Sequence, residues 1–324
     1  MTVDFHTHYI DASLEGLTLP GCVALRLDGS AGELLQDGAV YRKIDERSWN
    51  VERRIAEMDA EGVTLQVLSP IPVSYAYEAS AAHGASFSRA QNDALAGIVR
   101  ARPDRFAALG TVPLQDPELA CAELERAVCE LGLHGVEIGT TAGGRDLDHA
   151  DLEPFWERCE ALDAVVFVHP ESAPGFDRMR RRMMVISTGY PNETGIAAAM
   201  LLTSGLLERR NLRIVLAHGG GTLPWLLPRL DRLWEISEDL RSAGRRPSEV
   251  ARTFYCDTLT FDVRNLALIL ERLDPSRLVV GSDYPFTIRE APPGAVVDAF
   301  PEHAAALRSA NALALLNRAP EMSA

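Results

Sequence analysis

The segment Val3-Asp4-Phe5-His6-Thr7-His8 decides how this chain is read. An apolar run that passes into two histidines at i and i+2 reads as a β-strand whose alternate residues share a face. His6 and His8 then point the same way and can hold one ion between them. Three further runs finish alike: Val165-Val166-Phe167-Val168-His169, Ile214-Val215-Leu216-Ala217-His218 and Leu278-Val279-Val280-Gly281-Ser282-Asp283. Strands that end in metal-ligating side chains put one site at one rim of a sheet or barrel.

Val63–Leu68, Phe106–Val112, Gly135–Gly139 and Thr253–Asp257 bring the strand count to eight. Most are near-continuous apolar runs, as parallel strands covered on both faces require. Helical signals fill the gaps. Ser48 is the expected N-cap of a helix carrying Val51, Ile55 and Met58 on one face and ending at Gly62. Asp116-Pro117-Glu118 opens another, and Asn192-Glu193-Thr194 starts one expected to reach about Leu207. Eight βα units predict an α/β protein, a (β/α)8 TIM barrel forming one domain over 1–324, with an open doubly wound sheet as the alternative. Residues 11–47 break the repeat, with Gly, Asp and Pro punctuation. They are expected to be a small insertion after strand 1 that covers the active rim.

A net charge of -14 over 324 residues argues against nucleic acid or an anionic membrane as partner, but not against a small anionic substrate met by local arginines. Five scattered cysteines without a CxxC pair read as reduced thiols. With no secretory segment before His6 and no span-length apolar run, a cytoplasmic protein is expected.

Three imidazoles and a carboxylate, from His6, His8, His169 and Asp283, suit a borderline divalent ion, zinc first, with Mn2+ or Fe2+ as alternatives. His218 reads as the proton carrier, taking a proton from water that the ion acidifies; a further ligand is its other reading. His218 and Asp283 are the expected catalytic residues. The glycines 219–221 after His218 allow close backbone approach, and no Lys-Ser/Thr follows to make a phosphate loop. Tyr190, before a proline near the rim, is a candidate substrate contact. Asp257 and Glu171 are candidates for positions behind the ligands, Trp225 and Trp234 are expected to pack in an amphipathic helix, and 178–182 (RMRRR) reads as a solvated charge run. His83, His134, His149 and His303 fall outside the strand-end pattern.

Taken with their surroundings, these residues resemble the amidohydrolase superfamily, in the branch of 2-amino-3-carboxymuconate-6-semialdehyde decarboxylase and related aromatic-acid decarboxylases. The resemblance runs through Val3–His8, 54–68 (RIAEMDAEGVTLQVL), 105–116 (RFAALGTVPLQD), FVHP at 167–170, AHGGG at 217–221 and GSDYPF at 281–286. It implies that His6, His8, His169 and Asp283 bind zinc, that His218 is the acid/base, that Phe286 walls the pocket, and that the protein is a homodimer whose partner contributes to the site. It also exposes departures. Asp45 stands where the decarboxylase has a carboxylate-anchoring Arg, Ser237 where the partner's Arg falls, and Ile186 where a pocket Trp falls. Arg47, Arg232 and Arg241 are the neighbouring replacements, and a changed substrate is expected.

The leading expectation is a non-oxidative decarboxylase of an unsaturated or aromatic carboxylic acid. A hydrolase of an ester, lactone or amide uses the same activated water, and a non-catalytic binding barrel is the third possibility.

Overall fold

The computed structural model describes residues 1–318; residues 319–324 of the expected single unit lie outside the described residues. The strands in chain order are β1 (Val3–Tyr9), β2 (Ala24–Asp28), β3 (Ala31–Gln36), β4 (Ala39–Asp45), β5 (Leu65–Pro70), β6 (Phe106–Ala108) and β7 (Gly135–Ile138). They continue with β8 (Thr141–Ala142), β9 (Arg145–Asp146), β10 (Val165–Val168), β11 (Arg213–Leu216), β12 (Tyr255–Asp257) and β13 (Leu278–Val279). Eight of these run parallel in two sheets, ordered β1-β5-β6 and β13-β12-β11-β10-β7. Backbone contacts link the outer strands at both junctions. Phe5 N donates to Val280 O (2.8 Å) beside a parallel bridge between Thr7 and Tyr284, and Gly110 N donates to Gly135 O (2.9 Å) beside one between Gly110 and Val136. With helices between the strands, the fold is α/β.

The core follows the alternation. Val3, Phe5, Leu65, Val67, Ala107, Leu109, Val165, Phe167, Val215, Ala217 and Val279 pack with one another and with Leu313 and Leu315 of the last helix (Asn311–Leu315). Residues from the other face of the same strands, including Val136, Val166, Ile214 and Cys256, pack against the helices. β1 departs from strict alternation: its pairing with β5 slips between Asp4 and Thr7. Phe5 and His6 therefore both reach Phe167, with ring centroids 5.8 and 4.9 Å away. An irregularity of this kind re-aims a side chain at the end of a strand.

Several local expectations need correction. The first helix (Val51–Glu61) is capped by Asn50, whose side chain accepts from Arg53 N at 3.0 Å, and Ser48 lies one turn earlier in a 3-10 segment. Asn has the same short oxygen acceptor as Ser, so the signal was right in kind and two residues out. The helix expected from Asn192 begins at Tyr190, ends at Thr203, and breaks before Leu206 at Gly205, which takes a φ of 73°. Residues within 11–47 hold structure that composition did not announce: β2, β3 and β4 form an antiparallel sheet between β1 and the first helix. Its core-facing residues Leu25 and Leu34 pack with Ile10, Leu14 and Phe87.

Candidate metal centre and cavity

A cavity of about 720 Å³ is lined by His169, His218, Asp283 and Phe286, by residues of the β4 region, and by the loops after β10, β11, β12 and β13, with His6 and His8 of β1 against His169 and Asp283. Ligand atoms of His6, His8, His169 and Asp283 lie within 4.8 Å of one another, and all four residues are buried. The hydrogen bonds behind them fix which nitrogens face inward. His6 Nδ1 donates to Asp257 Oδ2 (2.7 Å) and His8 Nδ1 donates to Pro70 O (3.0 Å). Pro70 O can only accept, and Asp257 Oδ2 already accepts from His218 N, so each ring donates from Nδ1 and both Nε2 atoms present lone pairs.

Those lone pairs face each other. His6 Nε2 is 3.1 Å from His8 Nε2, and Asp283 Oδ1 is 3.4 Å from the first and 3.1 Å from the second. Three electron-pair donors so close repel one another, yet donors held about 2.1 Å from one tetrahedral ion sit about 3.4 Å apart. Both nitrogens of His169 and Oδ1 of Asp283 are buried without a hydrogen-bond partner. The residues fit a divalent cation. Burial holds His8 and, more strongly, His169 below the usual imidazole range, as neutral ligands require. Burial acts likewise on His6, but the hydrogen bond and charge of Asp257 outweigh it and raise the value. The same contact makes His6 a better electron-pair donor once its inner nitrogen is free of a proton. At Asp283 burial favours the protonated form, and His8, His6 and His218 overcome it, keeping the carboxylate ionised.

His218 stands beside the cluster, its ring centroid 4.8 Å from that of His169 and 5.3 Å from that of His6. Its backbone takes a φ of 56°, an uncommon conformation for a residue with a Cβ. Asp257 holds it there: Oδ2 accepts from His218 N (2.8 Å), and Oδ1 accepts from Gly219 N (2.7 Å) and Leu259 N (3.0 Å). The following glycines are needed for space as well as for φ, since a Cβ on Gly221 would meet Pro191 O at 2.0 Å. Gly281 likewise admits His6 and Asp257, whose Cβ atoms would lie 2.6 and 2.9 Å from an added Cβ. Burial pushes His218 down to about 4, so the ring is neutral at pH 7.

The candidates from sequence therefore divide. His6, His8, His169, Asp283 and His218 come together, and Asp257 proves central to holding two of them. Phe286 lies against His8 (centroids 5.0 Å apart) and lines the cavity, as does Tyr190. Arg47 lines it too but is committed: Nε and Nη2 donate to Asp45 Oδ1 and Oδ2 at 2.8 and 2.7 Å. The residue in the anchor's place thus neutralises its proposed replacement. Arg232 and Arg241 are away from the cavity, bound to Glu235 and to its carbonyl. Trp225 does not pack: it is 79 % exposed at the cavity mouth. Trp234 is held by a bond from Nε1 to Gly244 O, and Ile186 lines the cavity. Glu171 also lines it, half-buried, with burial and the charge of Glu78 raising it to about 8. The other four histidines stay outside the lining.

Two residues went unnoticed in the sequence. Glu137 is fully buried, with Oε1 3.7 Å from His8 Nδ1 and burial pushing its carboxyl well above the usual range. An acid inside the apolar strand Gly135-Val136-Glu137-Ile138 was the available signal. Arg54, also fully buried, donates to His8 O and Arg47 O and lies 4.5 Å over the Tyr284 ring, bracing the end of β1 from behind.

The amidohydrolase family model matches residues 3–318. The chain belongs to the amidohydrolase family. It is 33 % identical over 310 residues to 2-amino-3-carboxymuconate-6-semialdehyde decarboxylase of Dictyostelium discoideum, covering 93 % of this chain and 86 % of that one. It is 31 % identical to 6-methylsalicylic acid decarboxylase of Aspergillus aculeatus, over 76 % of this chain and 79 % of that one. The crystal structure of 5-carboxyvanillate decarboxylase from Sphingomonas paucimobilis superposes with a TM-score of 0.83 at 27 % identity, covering 98 % of this amidohydrolase and 99 % of that chain. No helix among the described residues is long and apolar enough to cross a membrane.

Proposed function

We propose that this amidohydrolase is a zinc-dependent, non-oxidative decarboxylase of an aromatic or unsaturated carboxylic acid, built as a single (β/α)8 barrel with the β2-β3-β4 sheet covering its active rim. The observation that carries the reading is the convergence of four buried donors beside the neutral His218 at the floor of a cavity. The two bridged junctions between the parallel sheets support the barrel, and relatives named for decarboxylating different acids support the reaction. They also tell against the hydrolase alternative. Homodimer formation and a cytoplasmic setting belong to the proposal through the family resemblance and the unpaired thiols.

His6, His8, His169 and Asp283 would hold the ion, and the borderline donor set favours zinc over Mn2+ or Fe2+. Bound there, a divalent ion supplies Lewis-acid stabilisation of negative charge on a substrate oxygen, an effect of several kcal/mol. Replacing a carboxylate by hydrogen takes up one proton for each CO2 released. His218 is neutral at pH 7 and can take that proton on a ring nitrogen and pass it to the carbon that bears the carboxylate. Asp283 favours the charged imidazole while it holds the proton. The carbon–carbon bond then breaks with its electron pair left on the organic fragment, and CO2 departs. Asp257 keeps His6 and His218 aimed throughout, and Phe286 provides a flat apolar wall for the ring or diene.

The test is CO2 release by the purified protein from a panel of benzoic, hydroxybenzoic and muconic acids, with elemental analysis of the same sample. CO2 from at least one acid with zinc bound is expected. Hydrolysis of ester, lactone or amide substrates with no CO2 from any acid would overturn the reading.

A further inference from the structure

The β4 strand carries a guanidinium that the proposed reaction leaves unexplained. β3 and β4 pair Leu34 with Arg42 and Glu33 with Lys43, and directly opposed residues share a face of a sheet. Glu33 is on the outer face, ion-paired to the exposed Arg26, and Lys43 opposite it is exposed although it borders the cavity. Leu34 is fully buried in the core beneath the sheet, which puts Arg42 on the inner face. Arg42 is half-buried and lines the cavity, with its guanidinium carbon 4.6 Å from the centre of the Phe286 ring. Among the described residues it has no carboxylate partner and donates no hydrogen bond, whereas Arg47 nearby is doubly bonded to Asp45. A half-buried cation without an anion is normally unfavourable, and the face of Phe286 offsets only part of that.

We propose that Arg42 binds a second anionic group of the substrate, the one that is not lost, and so selects acids with two anionic groups. The inference rests on the decarboxylase reading of the site. An ion pair to the departing carboxylate would stabilise the starting state most, because the negative charge moves off that group as CO2 forms. A positive anchor therefore helps only when it meets a group that keeps its charge. The spacing suits this. The Phe286 ring lies 4.6 Å from the Arg42 guanidinium carbon and 5.0 Å from the His8 ring, so an aromatic diacid seated beside it is within reach of both the anchor and the cluster. The guanidinium fork fits a carboxylate with two parallel bonds.

The probes are benzoate and benzene-1,3-dicarboxylate, titrated calorimetrically into the metal-loaded protein. The wild type should bind the diacid about tenfold more tightly than the monoacid, the scale of one charge-assisted pair. Arg42→Met should abolish that preference while leaving benzoate affinity and metal content unchanged. Arg42→Lys should retain part of it, and Arg26→Met, on the outer face and outside the cavity lining, all of it. An undiminished preference in Arg42→Met, or none in the wild type, would overturn the proposal. Loss of the preference in Arg42→Met with no CO2 from any acid would leave the anchor standing and remove the decarboxylase reading. CO2 release with the preference intact in that variant would remove the anchor alone.

Discussion

Replacing Asp257 by Asn probes how the site is held without changing its shape. The wild-type carboxylate accepts four bonds, from His6 Nδ1 and His218 N on one oxygen and from Gly219 N and Leu259 N on the other. An amide has one oxygen, so one of these pairs must face an NH2 group. If that pair is Gly219 and Leu259, two buried donors lose their acceptor, and at about 1–3 kcal/mol each the fold loses about 2–6 kcal/mol. If it is His6 and His218, His6 must accept at Nδ1 and carry its proton on Nε2, where the ion would bind. In the milder case the ligand remains but is less firmly oriented, a change that typically costs about 10- to 100-fold in metal affinity. Zinc affinity by chelator competition, with a denaturant titration of the metal-free protein, reads both effects. Zinc bound within about threefold of wild type, with unchanged stability, would refute the role given to Asp257.

His218→Asn should leave metal content intact and lower CO2 release about 10²- to 10⁴-fold, measured on metal-loaded protein; full activity would exclude it as the proton carrier. Burial, then the nearby Arg318, pushes His134 down to about 4 from an ordinary 6.5. A depressed imidazole stabilises the fold fully above pH 6.5 and ceases to as pH falls towards about 4, because the unfolded chain takes the proton first. His134→Gln should therefore remove up to about 3 kcal/mol of acid sensitivity across that window in denaturant titrations, and an unchanged pH profile would contradict this. Trp225→Ala, at a side chain 79 % exposed, should shift stability by no more than about 0.5 kcal/mol. Trp156→Ala, at one 1 % exposed with Nε1 bonded to Leu147 O, should cost about 3–5 kcal/mol in the same titration.

The strand-end histidines were legible because a ligand set needs fixed residue types at fixed strand positions. Four distant segments each satisfied that requirement, and the structure brings their five residues together. Asp257 carried a fainter signal, a single acid closing a strand, and its importance came from four bonds that no local pattern encodes. Glu137 and Arg54 were missed for a related reason: a buried charge is identified by what surrounds it, and their partners lie far off in the chain. The β2-β3-β4 sheet was hidden because its strands are polar on the outer face and carry charges throughout, so apolar periodicity is weak there. Arg42 was not among the replacement anchors read from sequence, because sequence distance alone does not mark it out from Arg47. Strand alternation turns one into the cavity with no carboxylate partner, and the neighbouring Asp45 ties up the other.

The most direct measurement is CO2 release during titration of metal-stripped protein with zinc, using an acid that the enzyme turns over. The rate should rise linearly and break at one equivalent of zinc, and His169→Ala should show no such break. CO2 release from the stripped protein, or a rate indifferent to added zinc, would contradict a metal-dependent decarboxylase centred on His6, His8, His169 and Asp283.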